Sequence, residues 1–206
     1  MSSGWWLFAR ARHSLRTVVA ITALTCVELL VGSSSHQING ENQTLLIPWV
    51  VVLPVVAATF IGVGTRSAVS DLEGTSTRSL AGLRAVHLTV VLGAAVLATA
   101  IGSAELVADP GSELSGTAAV RNLITFAGLS LISVALLGSS LAWPLPLTLA
   151  IAATTVGSSS GVPHWWALPI RPDSDVLAAV IAAAVLTGGF TLVIAGGTRE
   201  PPAERD

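Results

Sequence analysis

An all-α integral membrane protein, with six transmembrane helices and both termini on the cytoplasmic side, is the fold class the sequence predicts. Three observations carry that prediction. The 206 residues are 52% hydrophobic and only 11% charged, too little polar surface to clothe a water-soluble globule of that size. Six predominantly apolar stretches, residues 17–32, 45–64, 85–104, 118–138, 141–156 and 176–195, approach or reach the ~17–25 residues that a helix needs to cross a bilayer. All ten basic residues are arginine, and an amino terminus in the cytoplasm puts Arg10, Arg12, Arg16, Arg66, Arg78, Arg84, Arg199 and Arg205 inside, leaving Arg121 and Arg171 outside. That is the asymmetry of the positive-inside rule. Residues 1–206 therefore read as one transmembrane domain.

From the amino terminus, residues 4–14 place Leu7, Phe8 and Ala11 on one helical stripe with Arg10, His13 and Ser14 facing away, the pattern of an interfacial helix. Trp5 and Trp6 suit the headgroup level. An unstructured start that only supplies charge is the plainer alternative. Cys26, the single cysteine, lies in the first span and excludes an internal disulfide. Residues 33–44 form a short polar outer loop. Span two has Pro48 in its first turn, where a missing N–H costs nothing, and Pro54 in its interior, where a kink is expected.

The inner loop 65–84 is the longest hydrophilic stretch. Ser67 can cap a short helix through Ser70 and Asp71 to Glu73, with Gly74 as its stop and Arg78 and Arg84 beyond. A solvated connector is the alternative to a docking knob. Span three carries Ala94, Ala98 and Gly102 at four-residue intervals and span six carries Ala178 and Ala182, the small-residue spacing that lets helices approach closely in lipid. Spans four and five are joined by little more than Gly138-Ser139-Ser140 and are expected to form a helical hairpin. Residues 158–175 are too long and too apolar for a simple loop. Trp165 and Trp166 suggest that they dip into the outer interface as a short helix or re-entrant piece.

The chemistry is mostly exclusion. A net charge of −2 argues for no nucleic-acid partner. Without lysine there is no Walker A phosphate loop and no Schiff base. No histidine pair shows metal-ligand spacing, and no catalytic residue is expected. The polar residues near or within the spans include Glu28, in the outer half of span one, and Arg121, at the outer start of span four. A charge in hydrocarbon costs at least ~2.5 kcal/mol and generally has a partner or a task, so an ion pair between these two is expected, with a substrate contact as the alternative.

An amphipathic amino-terminal helix, a six-span core, the charged loop with Asp71-Leu72-Glu73-Gly74 and Thr77-Arg78, and an apolar segment between the last two spans make an order of parts. Taken together it resembles the permease subunit of type-2 ATP-binding-cassette transporters, in the compact form common in actinomycetes. The resemblance implies a coupling helix at about residues 67–74 that seats against a separate cytosolic ATPase, and an outer inserted segment at about 163–170. It implies a second permease, identical or homologous, in a bacterial plasma membrane. ATP and magnesium would be held by the partner subunit, with no cofactor bound by this chain. The cargo implied is amphipathic or hydrophobic. Two other readings remain: a six-span substrate-binding subunit of a vitamin importer, and a non-transporting membrane binding or immunity protein.

Overall fold

The computed structural model describes residues 36–39, 44–47, 49–65, 81–103, 116–159 and 161–196. The expected interfacial helix at 4–14, the first span and most of the loop 65–84 lie outside the described residues. Those described are mostly helical. The helices are α1 (Trp49–Val63), α2 (Ala81–Gly102), α3 (Gly116–Leu137), α4 (Pro144–Val156) and α5 (Val176–Gly196), with 3-10 turns at Ser139–Leu141 and Leu168–Ile170. Two short antiparallel ladders accompany them. β1 (His36–Asn39) pairs with β2 (Thr44–Ile47) in the register His36↔Ile47, and β3 (Ser158–Ser159) pairs with β4 (Val162–Pro163).

Four segments are long and apolar enough to cross a membrane: α2, α3, the run Ser139–Val156 that includes α4, and α5. At the helical rise, α2 and α3 are about 33 Å long and α5 about 32 Å, against a hydrocarbon core of about 30 Å. The chain is built as a multi-pass membrane protein.

The second apolar stretch differs from expectation. Residues 45–47 belong to a strand and only Trp49–Val63 is helical, about 22 Å at the helical rise. An apolar run satisfies a strand as readily as a helix, so hydropathy alone did not mark this boundary. The sequence has a proline at position 48, between Ile47 and Trp49, and proline disfavours helical backbone in the residue before it. Spans three, four and six coincide closely with α2, α3 and α5. However, α2 begins at Ala81, so the last four residues of the expected inner loop are helical.

α3 is the hub. Thirteen of its twenty-two residues are buried, compared with six in α2 and four in α5. The reason is in its composition: Arg121, Asn122, Thr125, Ser130 and Ser133 are all buried in it, because polar groups facing lipid would be unsatisfied. Around it, Val51, Val55, Ala58 and Ile61 of α1 and Val91 and Ala95 of α2 pack on Leu123, Phe126 and Ala127. A second cluster joins Leu88 of α2, Leu131 and Val134 of α3, Ala142, and Val193 of α5.

Helices α3 and α5 cross with backbones touching. A methyl group on Gly128 would lie 2.6 Å from Leu186 N and 2.7 Å from Leu186 Cα, and one on Gly189 would strike the Gly128 carbonyl. Only glycine at both places permits this approach. The expected stripe Ala178 and Ala182 is buried and extends through Gly189 to Val193. In α2 the buried stripe is shifted by one residue from expectation, running Val91, Ala95, Thr99 and Gly102, with Ala94 and Ala98 half-buried at its edge. Between α3 and α4, Gly138 adopts φ 98°, ψ 161°, backbone that a side chain would strain. Leu145 N, an unpaired donor at the start of α4, donates to Ser133 Oγ at 3.4 Å, which fastens the hairpin.

Candidate functional site

The polar centre of the molecule lies where the starts of α1, α3 and α5 meet the segment between α4 and α5. Arg121 and Asn122 occupy the second turn of α3, 7% and 0% exposed. Arg121 Nη1 donates to the Pro172 carbonyl at 2.7 Å, and Nη2 donates to those of Arg171 at 2.7 Å and Leu168 at 3.2 Å. Its Nε–H meets no acceptor among the described residues. Asp173 and Asp175, on the same segment, lie within Coulombic reach of the guanidinium.

The carbonyls that Arg121 grips are available for a local reason. The sequence Leu168-Pro169-Ile170-Arg171-Pro172 contains two residues without an N–H, so the segment cannot close a regular ladder on itself. Arg171 is held extended at φ −75°, ψ 151°, as the residue before a proline is restricted to be. The fixed planar fork then reaches three carbonyls spread over five residues, which a lysine ammonium would do less well.

Asn122 closes a second deficit. Pro54 lies inside α1 and is buried, and its missing N–H leaves the carbonyl four residues earlier without its helical donor. That carbonyl belongs to Val50, and Asn122 Nδ2 donates to it at 3.1 Å. The other Nδ2 hydrogen goes to the Pro169 carbonyl at 2.9 Å. One amide thus joins α1, α3 and the α4–α5 segment, while its Oδ1 has no partner among the described residues.

The segment is also secured at its far end. Asp175 caps α5, its Oδ1 accepting from Ala178 N at 3.1 Å and its carbonyl accepting from Ala179 N at 3.2 Å. Its Oδ2 accepts from Arg171 Nε in an ion pair. The Ala178 N–H, foremost, holds the Asp175 carboxyl below the usual carboxylate range. Desolvation opposes that shift and the Arg171 guanidinium adds to it.

Of the residues expected to carry function, Arg121 is at the centre of this constellation. Glu28, its expected partner, and the coupling-loop residues Ser67, Ser70, Asp71, Glu73 and Arg78 lie outside the described residues. Trp165 is 69% exposed, and Trp166 is half-buried and stacked on His164 with ring centroids 6.0 Å apart and planes 10° apart. Both tryptophans sit on the clamped segment, which folds as a small hairpin and a 3-10 turn. Asn122 is what the sequence reading missed. An amide beside an arginine in an apolar run, with an interior proline in an earlier span, was the available signal. Among the described residues no three His, Cys, Asp or Glu side chains converge on a possible metal position. Compared with known protein families, curated proteins and solved structures, the chain matches none.

Proposed function

We propose that this chain is the membrane-spanning permease subunit of an exporter-like, type-2 ATP-driven transporter, moving an amphipathic or hydrophobic substrate with a separate ATPase. In this reading it crosses the bacterial plasma membrane six times with both termini and the loop 65–84 inside. The observation that supports the reading most is the segment between α4 and α5. It folds back onto the bundle head and presents Trp165 outward, as the outer inserted piece of such a permease would.

A route for force is given by the packing. The loop 65–84 joins the end of α1 to the start of α2, so an ATPase closing beneath it would push on both. α1 packs along α3, and α3 holds the outer segment through Arg121 and Asn122. Motion imposed at the inner loop would therefore reach the outer face through closely packed helices, which transmit strain. The largely apolar interior suits an apolar cargo.

The test is co-purification from native membranes, with the wild-type chain and with Asp71→Ala/Glu73→Ala. A stoichiometric cytosolic ATPase that the double variant loses, while its thermal stability is unchanged, is the expected result. Capture unchanged by the double variant would remove the coupling-loop assignment. A membrane scaffold in place of an ATPase would favour the vitamin-importer subunit, and neither partner would favour a non-transporting binding protein.

A further inference from the structure

The geometry points to a latched strap: Leu168–Ile170 and the two residues after it are held over the head of the bundle by Arg121 and Asn122, and open as one unit when that grip is lost. The strap has no regular hydrogen-bonded ladder of its own. Its amides make only short turns, Ala167 N to His164 O at 3.1 Å, Ile170 N to Ala167 O at 3.1 Å, Arg171 N to Leu168 O at 3.4 Å and Asp175 N to Pro172 O at 3.2 Å. Such turns have no cooperative ladder behind them, and alone they would fray independently. What makes them one body is the set of carbonyls at Leu168, Pro169, Arg171 and Pro172, all gripped by two adjacent side chains of the most buried helix.

Most of the grip is concentrated in one group. Three of the four carbonyls share a single guanidinium, so withdrawing that one group frees them together. The Arg171 carbonyl is then left with water or with nothing, those of Leu168 and Pro172 keep only the turn bonds from Arg171 N and Asp175 N, and Asn122 on the Pro169 carbonyl is the one side-chain hold left on these carbonyls among the described residues. Prolines at 169 and 172 keep the freed segment stiff, because their locked φ limits the conformations it can take. The strap therefore moves as a flap hinged at its two fastened ends, the hairpin closed by His164 N on Gly157 O at 2.8 Å and the Asp175 cap of α5. The inference does not depend on the transporter reading.

Hydrogen exchange on the full-length protein in lipid nanodiscs tests it. In the wild type, the amides of Ile170 and Arg171 should share one protection factor, as members of a single opening unit. Graded, unequal protection along the strap would overturn the latch without any substitution being made. In Arg121→Gln those two amides should exchange at least about tenfold faster, the factor set by losing one charged hydrogen bond, while α3 and α5 interiors stay as protected as before. Unchanged strap exchange, or equal acceleration throughout α3 and α5, would refute the device. Arg121→Lys, which keeps the charge but not the fork, should restore the wild-type rate only in part, and full restoration would show that charge and not geometry holds the strap.

Discussion

Gly188 and Gly189 are neighbours in α5 and should respond oppositely to the same substitution. In Gly189→Ala the new methyl group would meet the Gly128 carbonyl, with Leu131 Cβ at 3.0 Å and Gly128 C at 3.2 Å. Carbon atoms rest about 3.5–4.0 Å apart, and the obstructing carbonyl is α3 main chain that cannot rotate away. The two helices must part by roughly 1 Å, and overpacking of this kind costs about 1–3 kcal/mol. At Gly188 nothing lies within 4 Å of an added methyl, and alanine there gains about 0.5–1 kcal/mol from reduced backbone freedom. The pair should therefore separate by about 1.5–4 kcal/mol. The assay is the loss of the monodisperse peak on size-exclusion chromatography after heating in a fixed detergent. Gly189→Ala should melt below the wild type and Gly188→Ala at or above it. If the two melt together, the backbone crossing of α3 and α5 is not where the structure puts it.

Two further outcomes concern the polar groups. The folded-state pKa of Asp175 is depressed, so its stabilisation is present above the unfolded carboxylate value of about 4 and is lost as pH falls below that value; the first-turn amides of α5 should lose exchange protection on acidification in the wild type, and the loss should be absent in Asp175→Ala. Ser130 is fully buried and its Oγ has no partner among the described residues, so Ser130→Ala should be no less stable than the wild type, to within about 0.5 kcal/mol, in the same heating assay; a clear drop would mean that the hydroxyl is satisfied.

Long apolar runs made α2, α3 and α5 legible, because lipid demands about twenty consecutive apolar residues and few alternatives meet that demand. The stretch around residues 45–64 was less so. Leu45, Leu46 and Ile47 are as apolar as the helix that begins at Trp49, and only tertiary structure assigns them to a strand. Hydropathy also said nothing of which helix is central. Arg121 stood out as a charge in a span; its expected partner Glu28 lies outside the described residues, and the groups it meets among them, at Leu168, Arg171 and Pro172, are main-chain carbonyls, which every residue carries and no pattern marks. The role of Asn122 was hidden for a similar reason, since its need arises from a hydrogen that Pro54 does not have.

That last relation has an evolutionary consequence. Replacing Pro54 by an ordinary residue would return a donor to Val50 and leave the amide at 122 with only the Pro169 carbonyl to serve. Losing Asn122 alone would strand a carbonyl in a helix that has no donor of its own for it. Loss of Asn122 costs less once Pro54 is gone, so the two positions, far apart along the chain, are bound by epistasis and should drift through homologous chains as a couple.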